Sequence, residues 1–537
     1  MREPPRRPGK LVGADLGSIP LHRADPHRRR SVRLAIAALA AFSLAGCTAV
    51  GEAGGDKPGG DEPGGRAGLA RFYAQELKWK ACGELSCARL TVPMDYARPG
   101  NGKTFVLPVA KAATADPDRR LGSLVYNPGG PGASGVSDMK ADGSDSFSAR
   151  VRARFDIVSF DPRGVGGSDP AVKCAATDEA EDDLPEPVAP RSGADRARAL
   201  AGADEQAAAC AKGSRGILPR VGTADAARDL DVLRAALGDR KLTYLGWSYG
   251  TSLGTSYAEQ FPERVRALAL DGAVDPALDW RQRALSQGKG FRRAVDDYAE
   301  YCADIVGDSC PGSTPEEIGE LIDGLYERAA REPLPVTDED AYDVDARTLL
   351  DVVTAAMYSP EDDWEGLSDA LSAADEGDAT ALAELADAEE PAAGSRRARG
   401  AENDDDAIVA VSCLDVPHPH TPGPYWSALD AAEKAAGVYG TSSVVDELTC
   451  KDWPAGTQRP HRVEADGVPP VLVVGTTGDP ATPYEEAESL AGQFPGGMLL
   501  TYEGVGHTAY GRSNSCVTDA VDDYLIGLEP VRSGTTC

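Results

Sequence analysis

The stretch LTYLGWSYGTSLG, Leu242 to Gly254, carries the pattern G-x-S-x-G twice. One copy is centred on Ser248, the other on Ser252, and they share Gly250. A serine in this pattern becomes a usable nucleophile when a strand runs straight into it and a helix leaves directly after it. The backbone then makes a strained turn that exposes Oγ, and flanking glycines avoid clashes where strand and helix converge. KLTYLGW supplies the strand for Ser248, and TSLGTSYAEQF has helical character behind it. Ser252 falls about one turn into that helix, where its hydroxyl is expected to bond back to a carbonyl. Ser248 is therefore the predicted nucleophile. Ser252 and Gly254 are assigned to tight packing of helix on sheet.

Around this unit, short apolar runs alternate with helical patterns. TFVLPVAKA, GSLVYN (Gly122 to Asn127), FDIVSF (Phe155 to Phe160) and RVRALALDG (Arg264 to Gly272) read as strands, and ARDLDVLRAALG as a helix with a Gly stop. That rhythm indicates a parallel sheet with crossover helices. From about Ala273 to Ala465 the text turns acidic, Ala-rich and helical. The alternation resumes with PPVLVVGTTGD, YEEAESLAGQF, MLLTYEGVGH and a last helix near CVTDAVDDYLI. The predicted architecture is one α/β core, residues 71–275 and 466–537, interrupted by a helical cap insertion at 276–465. Within it, ADEGDATALAELADAEEPAAGSRRARGAENDDD reads as solvated helix surface.

A nucleophilic serine needs a base and a group to orient that base. In α/β sheets with such an elbow, the acid and then the histidine follow the nucleophile along the chain. His507, in YEGVGHTAY, sits just past a strand and before the final helix, where sites of open α/β sheets collect. Asp479 ends the strand PPVLVVGTTGD and is expected to accept from His507 Nδ1–H, leaving Nε2 to take the serine proton. Its plainer alternative is a turn or N-cap before YEEAESLAG, and Thr482 either bonds near this acid or caps the same helix. The backbone N–H of Tyr249 is the first expected oxyanion donor. The second comes from NPGGPGASG (Asn127 to Gly135), with Gly130 chosen and Gly129 as fallback. His418 and His420, in DVPHPHTP, read as surface-loop residues, with lining of a pocket as the alternative, and His461 as a linker residue.

Composition limits the rest. The chain has 537 residues and a net charge of −31, which argues against a nucleic-acid partner. RRRSVR followed by LAIAALAAFSLAGC forms a basic region, an apolar run and a small-residue cleavage site. The apolar run is too short to cross a bilayer core of about 30 Å. LAGC resembles the bacterial lipobox, so residues 1–46 read as a lipoprotein signal peptide and Cys47 as the lipidated, membrane-anchoring residue. An ordinary secretory signal is the alternative. Residues 47–70, with GGDKPGGDEPGGRAG, read as a flexible tether. Eleven cysteines less Cys47 leave an even set, which suits an oxidising compartment. Neighbour order suggests Cys82–Cys87, Cys174–Cys210, Cys302–Cys310, Cys413–Cys450 and Cys516–Cys537. Without paired C-x-x-C or a nearby histidine, no metal site is expected.

Four motifs in order, NPGGPGASG, FDPRGVGGSDP, GWSYGTSLG with YAEQFPERV and LDG, and VLVVGTTGDPATP with GVGH, resemble the secreted tripeptidyl aminopeptidase group. These are α/β-hydrolase exopeptidases related to proline iminopeptidase. The resemblance runs from about Trp79 to the C-terminus and is looser in the insertion, mainly at IVAVSCLD. It implies an α/β-hydrolase fold and a serine peptidase that releases short peptides, tripeptides in particular, from free N-termini through an acyl-enzyme on Ser248. It implies no metal and no organic cofactor. It also implies cap carboxylates that hold the substrate α-ammonium, with Asp415 the candidate and Asp404 to Asp406 beside it. Proline iminopeptidases have His-Gly-Gly-Pro where this chain has Pro128-Gly129-Gly130-Pro131, which favours the tripeptidyl group. Asp161 and Arg163 read as structural ties between loops. The rival functions are a carboxylesterase or lipase on the same scaffold and a non-catalytic, peptide-binding lipoprotein.

Overall fold

The computed structural model describes residues 68–141, 144–174, 187–214, 216–306, 310–337, 343–389, 403–454, 456 and 458–537. The signal segment, Cys47, nearly all of the tether and residues 390–402 of the acidic stretch lie outside them. The strands are β1 (Lys80–Cys82), β2 (Leu85–Pro93), β3 (Thr104–Ala112), β4 (Gly122–Asn127), β5 (Phe155–Phe160), β6 (Leu242–Trp247), β7 (Val265–Asp271), β8 (Leu472–Gly478), β9 (Met498–Val505) and β10 (Thr535–Thr536). They form one ten-stranded sheet in the order β1-β2-β3-β5-β4-β6-β7-β8-β9-β10. Pairing is antiparallel from β1 through β3 to β5 and parallel from β5 onward.

Successive side chains of a strand point to opposite faces of the sheet. In β8 and just before it, Val471 and Val473 enter one cluster with Leu230, Leu253 and Leu490 of the helices on that face. Leu472 and Val474 enter the opposite cluster with Val136, Val517 and Val521. Strands buried on both faces read as continuous apolar runs, which is why VLVV and LVY were legible as strands.

Between β7 and β8 the described chain is helical, apart from the isolated bridge Leu334–Val344. Helices Trp280–Tyr301, Pro315–Ala329, Ala346–Ala355 and Pro360–Glu376 share a core of Tyr298, Ile322, Leu325, Leu349, Val353 and Leu367. A second cap cluster holds Tyr425, Leu429 and Val445 of helix Gly423–Asp446 together with Ala199 and Ala203 of helix Gly193–Gly213. That last helix precedes the elbow and falls inside the 71–275 segment, yet it packs with the cap. All five cysteine pairs expected from neighbour order are bonded.

Arg163 and Asp229 are both fully buried. Arg163 Nε and Nη2 donate to the two carboxylate oxygens of Asp229 at 2.7 and 2.6 Å. Its other N–H groups reach the carbonyls of Pro93 and Arg220, so one guanidinium ties the strand side of the core to helix Thr223–Ala236. The Asp161 carboxylate accepts from Ser134 Oγ, Val136 N–H and Gly167 N–H, joining the loops after β4 and β5. Removing one partner of a buried pair strands the other charge. Asp229→Ala is therefore expected to lower stability by about 3–5 kcal/mol, measured by chemical denaturation. Arg163→Met combined with Asp229→Leu should cost far less.

Candidate active site

The turn at Ser248 is held in a conformation few residues adopt, with φ 55° and ψ −125°. It links the end of β6 to helix Tyr249–Gln260. The glycines of the pattern are sterically required. A Cβ at Gly246 would strike the carbonyl of Gly250, and one at Gly250 would lie 2.7 Å from the carbonyl of Asn127. Gly254 lies against Leu270 and Tyr244, as expected for close helix–sheet packing. Ser252 is inside the helix and half-buried. The back-bond expected of Ser252 is made instead by Thr251, whose hydroxyl donates to the Ser248 carbonyl at 2.6 Å.

The ends of β8 and β9 bring an acid and an imidazole to the same edge. His507 Nδ1 lies 2.9 and 3.1 Å from the two oxygens of Asp479. Asp479 is fully buried. It also accepts from the N–H groups of Ala481, Thr482 and Thr508, so the turn role and the histidine partnership coexist. Thr482 Oγ1 lies 3.5 Å from His507 Nδ1. With Nδ1 committed to the acid, Nε2 is buried and makes no hydrogen bond. No hydrogen bond joins it to Ser248 Oγ. The two loops are nonetheless adjacent: a Cβ on Gly272, one residue past β7, would lie 3.3 Å from His507 Cε1, and Ser248 N–H donates to the carbonyl of Asp271 at 2.8 Å.

The loop after β4 closes over the serine. A Cβ at Gly129 (φ 114°) would lie 2.9 Å from Ser248 Cβ and 3.0 Å from the Trp247 carbonyl. Gly129 N–H already donates to Asn127 Oδ1 at 3.2 Å. Gly130 N–H makes no hydrogen bond among the described residues.

Asp271 is an acid that sequence reasoning passed over. Its carboxylate accepts from the N–H groups of Ala509 and Tyr510, at 3.0 and 2.7 Å, and so fixes the turn just beyond His507. Burial pushes this carboxyl up to about 6, against the two amide bonds, which pull it down. The available signal was its position: an acid ending a parallel strand, as Asp479 does.

Asp415 stands at the end of helix Asp404–Asp415. Its oxygens accept from Thr223 N–H at 2.9 Å and Thr223 Oγ1 at 2.5 Å, and burial raises its pKa. It lines a cavity of about 50 Å³ with Thr223, Ser252, Thr255, Arg283 and Asp275. Of the run Asp404 to Asp406, Asp406 accepts from Cys174 N–H. His418 is a correction to the surface-loop reading: its side chain is only 3% exposed and faces Glu447 at 3.5 Å. Packing against Trp280 draws it inward. His418, Glu447 and Cys450 cluster, but the Cys450 sulfur is bonded to Cys413 and offers no thiolate. His461 is exposed and pairs with Glu259.

Two outcomes check this geometry. Gly129→Ala should cost about 1–3 kcal/mol of stability from strain at positive φ and lower turnover at least about ten-fold, because the new methyl displaces Ser248. For Asp271, the folded pKa lies above the unfolded value of about 4. The ionised form therefore burdens the folded state above pH 6, and that burden vanishes as pH falls from 6 to 4. Denaturation of Asp271→Asn and wild type should show the stability difference moving toward wild type by about 2 kcal/mol between pH 7 and pH 4. A constant gap would contradict it.

Comparison with known proteins agrees with the fold. The family model described as alpha/beta hydrolase fold matches residues 122–511. Serine protease Hip1 of Mycobacterium tuberculosis is 38% identical over 488 residues, covering 86% of this chain and 91% of that protein. Tripeptidyl aminopeptidase of Streptomyces lividans is 34% identical, with 86% and 84% covered. Carboxylesterase B of M. tuberculosis is 36% identical, with 84% and 88% covered. The chain belongs to the α/β-hydrolase family, and within it is a serine hydrolase of the tripeptidyl aminopeptidase-like group.

Proposed function

We propose that this serine peptidase is an exported aminopeptidase that releases tripeptides from unblocked N-termini. The observation that carries the reading is the Asp479–His507 pair, which leaves Nε2 without a hydrogen-bond partner among the described residues, beside the strained turn at Ser248. In the proposed reaction Ser248 Oγ attacks the scissile carbonyl and His507 Nε2 takes its proton. Asp479 stabilises the imidazolium, and the N–H groups of Gly130 and Tyr249 receive the oxyanion. His507 then passes the proton to the departing nitrogen. Water, deprotonated by His507, hydrolyses the acyl-enzyme. None of these steps calls on a metal or cofactor.

The length of the released peptide is supported by the cavity. Ser252, Thr255, Ser256 and Glu259 of the helix that follows Ser248 line it, together with Asp275 and Asp415. An extended tripeptide spans about 10 Å, and in the proposed reading its α-ammonium is received by the carboxylates of this cavity. Asp415 is the proposed partner: each oxygen takes one bond from Thr223 and keeps a second lone pair. Export with an anchor on Cys47 is part of the proposal, supported by the five disulfides. The acidic balance speaks against a nucleic-acid partner.

The esterase reading keeps one specific support, the relative named carboxylesterase B at 36% identity. The deciding experiment compares a chromogenic tripeptide amide, its N-blocked form and short acyl esters. The aminopeptidase should lose at least about ten-fold in kcat/KM on blocking; preference for the esters would overturn it. Ser248→Ala should abolish both hydrolysis and fluorophosphonate labelling. Equal labelling of variant and wild type would end the assignment.

A further inference from the structure

Few large apolar side chains stand exposed on the described surface, and one of them, Tyr358, is 38% exposed while packed on His507. It comes from the cap, between helices Ala346–Ala355 and Pro360–Glu376. Its ring meets the imidazole edge to face, with centroids 5.1 Å apart and planes at 79°. Its carbonyl accepts the backbone N–H of His507 at 2.9 Å. The contact is reinforced on both sides. Arg512 Nη2 bridges Glu361 Oε2 and the Val505 carbonyl, and Arg512 Nη1 donates to the Thr508 carbonyl. Pro360 lies against Gly506, where a Cβ would sit 2.7 Å from Pro360 Cδ. Phe291 backs the tyrosine ring at 6.0 Å. Tyr358 is thus held in place, yet more than a third of its surface is open. Its hydroxyl makes no hydrogen bond among the described residues.

In a serine hydrolase the imidazole hands its proton to the leaving group, so the departing half of the substrate lies against that ring. An open aromatic side chain fixed on the same ring faces the departing half too. We propose that Tyr358 is a specificity-determining residue for the leaving group: its ring forms the apolar wall against which the first residue after the scissile bond packs, favouring large aromatic or aliphatic side chains there. The proposal rests on the aminopeptidase reading above and adds the side of the substrate that reading leaves open.

The test uses two unblocked tetrapeptides that share the first three residues and end in Phe or Gly, with products followed by mass spectrometry. Wild type should favour Phe by at least about three-fold in kcat/KM, the scale of one aromatic contact. Tyr358→Phe should keep that ratio and Tyr358→Ala should bring it to about one. Tyr358→Leu, which retains bulk, serves if the alanine variant melts early, and should reduce the aromatic preference. A merely structural role would slow both peptides alike and leave the ratio unchanged, which would overturn the proposal. A wild type with no preference would also overturn it. A wild type that cleaves neither peptide, or is not labelled by a fluorophosphonate, would instead sink the underlying function.

Discussion

Everything at the rim depends on one crowded turn. Ser248 sits at φ 55°, a conformation that costs on the order of 1–3 kcal/mol and persists only where the surroundings over-determine it. The over-determination is visible. Ser248 N–H is taken by the Asp271 carbonyl, and the Ser248 carbonyl by both the N–H and the hydroxyl of Thr251. Thr251 in turn accepts from Val274 N–H, in the chain that leaves β7 for the cap. The strain that exposes Oγ is therefore held by the neighbouring strand. β7 is also where Asp271 reaches forward to fix the backbone beyond His507. One strand end thus sets the nucleophile with its carbonyl and the histidine loop with its side chain.

That arrangement explains what was legible in the sequence. Strand runs such as VLVV are buried on both faces and announce themselves by composition. Ser248, Asp479 and His507 each follow such a run, so their place at one edge followed from parallel topology and chain order. Asp271 has the same credentials as Asp479, and periodicity cannot tell them apart. Only three dimensions show that one acid meets an imidazole while the other meets backbone amides. His418 was misread for a related reason. Flanking prolines suggest an exposed loop, but Trp280, over a hundred residues earlier, buries the ring. Helix Gly193–Gly213 falls inside the segment assigned to the core, and its membership in the cap cluster is a non-local fact. Disulfide pairing was readable because each bridge joins cysteines that are neighbours in sequence order.

The cap is fastened to the reacting loops themselves. Asn403, just before helix Asp404–Asp415, donates to the carbonyls of Gly164 and Val172 and accepts from Gly166 N–H. The same helix lies on Gly132 of the loop after β4, where a Cβ would be 3.0 Å from Ile408 N. On the other side, Tyr358, Pro360 and Glu361 grip the histidine loop. The cap therefore rests on both the loop after β4 and the histidine loop. Any opening that admits substrate must spare these two footholds or disturb the geometry they maintain.

This attachment bears on the choice between amide and ester. The triad is common to both chemistries. What separates them is the departing atom: an amide nitrogen must be protonated as it leaves, whereas a good ester leaving group departs as the anion. Amide cleavage thus places the stricter demand on the orientation of the imidazole during the second proton transfer. In this chain His507 is held through Nδ1 by Asp479, through its backbone by Tyr358, and beyond its loop by Asp271. Of these contacts the Asp479 bond, with the edge-to-face packing of the Tyr358 ring, bears on the imidazole itself, while the others fix the backbone that carries it. In the proposed aminopeptidase reaction this restraint bears on the second proton transfer, the step on which an amide depends more than an ester does.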